Sequence, residues 1–347
     1  MKRALALSIL ALGALATVEA HAQSSVTLYG VIDVGVQYLT NANKAGQSQW
    51  SLASGSYLPS RFGMTGREDL GGGYAAIFTL ENGFNANDGS VATTTSFFNR
   101  FAFVGIDTPA GKITLGRQGS VQYDKTVFYD PLYYATYSQL SLNAAPITTF
   151  KVNNMVKYQS ASFAGFDIDA AYGFGQQVAG STTAGRYTGL ALEYLNGALS
   201  ARVLYEELRG SIAAAVNQSS LADRRISAAA VYKGSTFTFF GDYTHVMGDL
   251  HLSPDGSIYT VAAAIQPTPF LRFVGEAGMY HRSFLSGTPK LFNLMAQYFL
   301  SKSTTLYAIG GYMINSGGNN YAVAYPAATS LAGQTQLGVT LGIDHRF

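Results

Sequence analysis

Along most of the chain, apolar residues alternate with polar or small ones at period two. Between Val26 and Tyr38 one parity carries Val26, Leu28, Gly30, Ile32, Val34, Val36 and Tyr38. The other carries Thr27, Tyr29, Val31, Asp33, Gly35 and Gln37. The split recurs with Phe166, Ile168, Ala170, Tyr172 and Phe174 against Asp167, Asp169, Ala171 and Gly173. It recurs again with Leu271, Phe273, Gly275, Ala277 and Met279 against Arg272, Val274, Glu276, Gly278 and Tyr280. Such alternation predicts strands of about ten residues with one apolar face, as in membrane β-barrels. A soluble sandwich alternates in the same way, so the connections must separate the two.

The connections fall into two classes. Short ones lie at 71–73, 109–111, 161–165, 196–197, 233–235, 267–269 and 301–303. Long polar ones lie roughly at 41–56, 85–96, 118–150, 175–184, 209–221, 248–256, 283–288 and 316–331. The two classes alternate along the chain, and together they join 16 strands. An even number of antiparallel strands, with short turns at one end and long loops at the other, describes a porin-sized transmembrane barrel. Closure also removes the unpaired edges that lipid cannot satisfy. The expected fold is all-β: one 16-stranded antiparallel transmembrane β-barrel, wide enough for a water-filled lumen.

The amino end reads differently. Lys2 and Arg3 precede an uncharged apolar run from Ala4 to Val18, which ends at Glu19-Ala20-His21-Ala22. A basic start, an apolar middle and a small-x-small end form a cleaved secretory signal peptide, here residues 1–22. The run is shorter than the ~20 residues a spanning helix needs. The single mature domain is then 23–347, exported and free of spanning helices.

Composition narrows the chemistry. Charged residues make up 12% of the chain, about half the ~25% of soluble domains. There are 23 Tyr and 21 Phe against one Trp, and no Cys, which removes disulfides, Cys-ligated metals and a Cys nucleophile. A net charge of +2 leaves no footprint for nucleic acid. Gly71-Gly-Gly-Tyr-Ala-Ala76 fits a dinucleotide fingerprint only formally, because it joins two strands with no helix after it. Asp167-x-Asp169 has too few ligands for calcium. No cofactor or metal is expected, and no spacing singles out an enzyme's His–acid pair among His245, His251, His281 and His345.

Specific motifs point to a family. Ser25-Val-Thr-Leu-Tyr-Gly-Val-Ile-Asp33, Ser60-Arg-Phe-Gly-Met-Thr-Gly-Arg-Glu-Asp-Leu-Gly-Gly-Gly73, Phe98-Asn-Arg-Phe-Ala-Phe-Val-Gly105, Gly111-Lys-Ile-Thr-Leu-Gly-Arg-Gln118 and Lys151-Val-Asn-Asn-Met-Val-Lys-Tyr158 occur in order along the chain. Together they resemble the general trimeric porins of Gram-negative bacteria, in their β-proteobacterial branch. The resemblance implies a homotrimer in the outer membrane, in contact with outer-membrane lipid and lipopolysaccharide. It also implies passive diffusion of small hydrophilic solutes and inorganic ions. The third loop, about 118–150, would fold into the lumen, and its apolar residues (Val127, Phe128, Leu132, Tyr133, Tyr134, Tyr137, Leu140) suit packing against a wall. The terminal Phe347 resembles the signature read by the barrel-assembly machinery.

Parity and resemblance together nominate a constriction. Arg61 shares a face with Gly63, Thr65 and Arg67; Arg100 with Ala102 and Val104, opposite Phe101 and Phe103; Lys151 with Lys157, opposite Val152, Val156 and Tyr158; and Glu81 with Thr79. A charge facing lipid at mid-membrane costs about 2–4 kcal/mol, so these charges are assigned inward. By resemblance, Arg61, Arg100 and Lys151 form a basic wall, Lys151 standing where the branch usually has Arg. Glu81 lies beside them, and Asp124 and Asp130 supply acid from the loop. The excess of base predicts weak anion preference. Arg117 shares the outward parity of Ile113 and Leu115 but lies where the strand ends and can equally turn inward, so its facing stays unassigned. The outer faces of the first strands, with Gly30, Gly66, Phe101, Phe103 and Gly105, suit subunit packing. The alternative, a substrate-specific channel, needs an aromatic row along the lumen, whereas the tyrosines fall mostly on outward parity or near strand ends.

Overall fold

The computed structural model describes residues 25–142, 145–213, 216–326 and 332–347. The signal peptide expected over 1–22 lies outside the described residues. The strands are β1 (Ser25–Leu39), β2 (Gln49–Ser54), β3 (Arg61–Gly71), β4 (Tyr74–Gly83), β5 (Phe101–Thr108) and β6 (Gly111–Gly119), then β7 (Lys151–Ser160), β8 (Phe166–Gly173), β9 (Tyr187–Asn196) and β10 (Leu199–Arg209). A small loop hairpin, β11 (Ile212–Ala213) with β12 (Val216–Asn217), precedes β13 (Ala222–Lys233), β14 (Phe237–Gly248), β15 (Gly256–Thr268), β16 (Leu271–Arg282), β17 (Lys290–Phe299), β18 (Thr304–Ile314) and β19 (Gln336–Arg346). One α-helix, α1 (Val121–Tyr129), lies in the third long connection.

Each wall strand pairs antiparallel with the next, and β19 returns to β1 with Val31 opposite Arg346 and Leu39 opposite Gly338. β2 and β3 are two pieces of one wall strand, pairing with the two halves of β1, so the closed wall has 16 strands. Long and short connections alternate as expected. The tightest turn, Gly71–Gly73, holds three successive positive φ angles (+81°, +62°, +83°) that only glycine adopts without strain.

The alternation maps onto two faces. Val26, Leu28, Leu190, Val203 and Leu341 are exposed on the outside, while Asp33, Glu206 and Thr340 between or beside them are buried. The buried apolar residues come largely from loop–wall contact: Leu132, Tyr137 and Leu142 of the third connection pack with Tyr57, Val246, Ile258, Met295, Tyr307 and Val323. The expected wall packing of that segment therefore holds for most of its apolar residues, although Phe128 is 71% exposed. Hydrogen bonds tie the segment to distant parts of the wall. Tyr137 Oη lies 3.1 Å from Gln37 Nε2 in β1 and 3.0 Å from Thr340 in β19. Arg202 in β10 donates to Thr126 at 2.5 Å, and Arg272 in β16 to the Pro131 carbonyl at 3.1 Å.

Two parity readings change. Phe101 and Phe103 stand opposite Glu81 and Thr79, so they face inward, and Ala102 and Val104 face out. The cause is Asn99, whose side chain replaces two ladder bonds by accepting from Gly83 N and donating to Gly83 O. The strand begins only after this bend, which leaves Arg100 free to reach inward. With Gly105 on the same inner parity, the expected outer packing face loses Phe101, Phe103 and Gly105 and keeps Gly30 and Gly66. In β7, the register shifts between Gly116 and Gln118 while Asn154 adopts φ +53°. This bulge puts Val152 on the inner side with Met155. Most strand tyrosines keep the expected facing: Tyr158, Tyr172, Tyr205, Tyr232, Tyr243, Tyr259, Tyr298 and Tyr312 are exposed. Tyr57, Tyr129, Tyr137, Tyr187, Tyr280 and Tyr307 are buried, because their rings fill the loop–wall contact and their hydroxyls find polar partners there.

Candidate functional site

Arg61 opens β3 where β2 and β3 separate, and Glu81 lies near the end of β4, opposite Gly63. A glycine at that rung leaves room for side chains from neighbouring strands. Three donors converge on the Glu81 carboxylate: Arg100 Nε at 2.5 Å from Oε1, Tyr29 Oη at 2.9 Å from Oε2, and Arg61 Nε at 3.5 Å from Oε2. The Glu81 side chain is only 4% exposed, whereas Arg61 and Arg100 retain 22% and 16%. Two guanidinium groups thus share one covered carboxylate. Charge-assisted bonds fix both bases in place without neutralising them.

Lys151 is held by different means. Its Nζ lies 4.2 Å from the centre of the Phe101 ring and 3.9 Å from that of Tyr123 in α1, and it has no hydrogen-bond partner among the described residues. Two ring faces stabilise the ammonium electrostatically. Arg100, Arg117 and Lys151 also line a polar cavity of about 260 Å³ with residues of the first two long connections.

The loop acids take other partners. Asp124 faces Lys157, whose Nζ is 2.7 Å from Oδ2, so that pair carries no net charge. Asp130 caps the end of α1 and accepts from Leu132 N at 2.8 Å and Tyr134 N at 3.2 Å. Burial pushes its carboxyl up to about 6, against the opposing effect of those amides. The structure therefore gathers Arg61, Arg100 and Glu81, sets Lys151 against the same wall, keeps Asp124 beside the Gly119 rung that faces Lys151, and sets Asp130 apart. Arg117 donates twice to the Asn99 carbonyl and once to Asn153 Oδ1 beside the polar cavity. Phe347 continues the closing ladder through two backbone bonds with Gly30, and its ring lies where a Gly30 side chain would be.

Sequence reasoning missed the facing set. Lys125 of α1 sits 3.2 Å from Asp169 and 2.8 Å from Glu193, and Tyr129 donates to Glu193 at 2.9 Å. Arg202 pairs with Asp242 at 2.5 Å. Glu206 accepts from Tyr187 Oη at 2.8 Å and from Thr148 Oγ1 at 2.6 Å. The signal was present on the wall, because Asp169, Glu193, Arg202 and Glu206 occupy the inner parity of β8 to β10, alternating with outward residues such as Leu190, Leu192 and Val203, and Asp242 that of β14. All four acids are buried. Charge is thus separated across the interior, with basic excess toward β3–β5 and β7 and acidic excess toward β8–β10. The accessible members are mainly the bases.

The Gram-negative porin family model matches residues 6–318. An outer membrane porin protein 32 of Delftia acidovorans is 28% identical, with full coverage of both chains. An outer membrane porin protein of Bordetella pertussis is also 28% identical, covering 94% of this chain and 96% of its own. The solved anion-selective porin from Comamonas acidovorans superposes with a TM-score of 0.81 at 26% identity, over 94% of this chain and all of that one. With a matching model over most of its length and a closed barrel of the same architecture, this chain belongs to the Gram-negative porin family.

Proposed function

We propose that this outer-membrane diffusion channel prefers anions weakly, and that Arg61, Arg100 and Lys151 set the preference at a constriction narrowed by the third connection. The observation that carries the reading is the exposure difference at Glu81: two guanidinium groups remain accessible while the carboxylate they share is covered. Low-dielectric walls focus the field of such a surplus onto passing ions. Asp124 is the accessible acid nearby, and Lys157 balances it. The bonds from residues 120–150 to β1, β10, β16 and β19 support an inward-folded loop. The similar Comamonas porin is named anion-selective, which agrees in sign.

The working unit is proposed to be a homotrimer, delivered by a cleaved signal peptide and assembled through a signal that includes Phe347. Gly30 and Gly66 on the outer face of β1 and β3 favour close approach of subunits. A planar bilayer under a KCl gradient tests the ion preference, with a reversal potential of the sign for chloride expected. A potassium-preferring wild type would remove these bases from the constriction. Light scattering in mild detergent tests assembly, and a monomer there excludes the trimer.

A further inference from the structure

A second basic cluster lies outside the barrel and has no part in conduction. Glu207 faces outward near the long-loop end of β10. Arg209 Nε lies 2.7 Å from its Oε1, Arg224 Nε 2.8 Å from its Oε2, and Arg186 Nη2 3.5 Å from Oε1. The outward direction follows from the ladder. Glu207 stands opposite Arg224 and Thr188, one outward rung beyond Tyr205, Leu190 and Ile226, which are exposed apolar or aromatic residues.

Three guanidinium groups around one carboxylate leave a surplus of positive charge. Asp249 accepts from Ala222 N at 2.6 Å at the edge of the cluster and offsets part of it. Arg209 also donates to the Ser220 carbonyl at 2.9 Å, while Arg186 Nε has no partner among the described residues. Each guanidinium has five N–H donors, and four protein contacts engage the fifteen in this cluster. The Glu207 side chain is 9% exposed beneath them, so the cluster presents forked donors outward.

The position identifies what those donors meet. In an outer-membrane barrel, the outward face just beyond the apolar band lies at headgroup level, and the long loops mark the outer leaflet. Arginine forks match phosphate geometry in two-bond contacts. We propose that Arg186, Arg209 and Arg224, gathered on Glu207 at the outer rim of β9, β10 and β13, bind the phosphate group of an anionic outer-leaflet lipid. Its acyl chains lie along Leu190, Val203 and Tyr205 below. The site is independent of the ion preference proposed above.

The test uses the full protein in neutral detergent, titrated with bisphosphorylated lipid A, with a zwitterionic phosphatidylcholine and with inorganic phosphate. Native mass spectrometry reads binding and oligomeric state together. Saturable binding of lipid A alone is expected, weakened about tenfold by Arg224→Gln and further by Arg186→Gln with Arg224→Gln. Glu207→Gln removes the competing carboxylate and should tighten binding. It carries the test should the arginine variants fail to give the heat-modifiable folded band. Equal lipid A binding by wild type and variants overturns the proposal. So does equal binding of phosphatidylcholine, or occupancy by inorganic phosphate at the same concentration. Loss of the oligomer in the variants with unchanged lipid binding would make the cluster a subunit contact instead.

Discussion

Replacing Arg61 and Arg100 together by Ser should move the channel toward potassium by a calculable amount. The wild-type cluster holds Arg61, Arg100 and Lys151 against Glu81, and the double variant leaves Lys151 against Glu81. The local charge therefore falls by two. A unit charge ~8 Å from a passing ion is worth ~0.5 kcal/mol in water-like surroundings. At physiological ionic strength that distance is one Debye length, and screening reduces the figure to ~0.2 kcal/mol. Chloride and potassium respond with opposite sign, so each lost charge changes their permeability ratio about twofold, and two charges about fourfold. At ~0.01 M salt the screening length is ~30 Å and the same removal gives about fifteenfold.

The assay is reversal potential in a planar bilayer, measured for wild type and variant at both ionic strengths. Conductance should rise as well, because two long side chains become short. Glu81→Gln supplies the opposite sign: it removes the shared acid and should increase chloride preference. A permeability ratio that changes less than twofold at low salt in the double variant refutes the reasoning. A shift of both variants in the same direction does so too, since it would mean that pore shape rather than charge controls the ratio.

Three further outcomes follow from the geometry. Arg202→Met strands the buried Asp242 and should destabilise the barrel by about 3–5 kcal/mol, while adding Asp242→Leu recovers most of the loss in thermal unfolding of the folded gel band. Asp130 holds its proton to higher pH when folded than when unfolded, so its contribution to stability falls as pH rises from about 4 to about 6. Asp130→Asn should flatten melting temperature across that window. Gly30→Val places a side chain where the Phe347 ring lies and against the Arg61 carbonyl, and should lower the yield of the heat-modifiable folded band.

The barrel was legible because two signals agreed: period-two alternation located strands, and alternating loop lengths gave their number. Strand number survives small register errors, since a turn such as Gly71–Gly73 marks an end whatever its neighbours do. Facing is less robust, because one irregular residue inverts a whole strand. Asn99 is such a residue. Its amide imitates a ladder position, and nothing in Phe98-Asn99-Arg100 separates a side-chain amide bond from a regular strand. The Asn153–Asn154 bulge hid the inward turn of Val152 for the same reason. The site was legible where motif and parity coincided, at Arg61 and Glu81. It was not legible in the loop, where helix α1 decides which wall each side chain meets. Consecutive residues Asp124 and Lys125 reach different strands, a divergence that a period of two does not contain.

The partners of each base decide what it contributes to ion selection. Arg202, Lys157 and Lys125 all lie on the interior, yet each meets carboxylate within 3.2 Å, and their side chains are 0%, 2% and 12% exposed. A buried base beside an acid at contact distance presents a dipole whose field falls quickly with distance. Such pairs fasten α1 to β7, β8, β9 and β10 more than they attract ions. Removing one partner would therefore disturb the loop first and the selectivity second. Arg61 and Arg100 differ in sharing a single acid, which Arg100 meets at 2.5 Å and Arg61 only at 3.5 Å, and both keep several times the exposure of Lys157. Counting basic residues on the inner parity thus overstates the field. The relevant quantity is the charge left after each acid has been assigned to its nearest base. In this chain it lies on the wall formed by β3, β4 and the start of β7 and, across the lumen, at Arg272 and Arg282 of β16, which donate only to amide or backbone oxygens among the described residues.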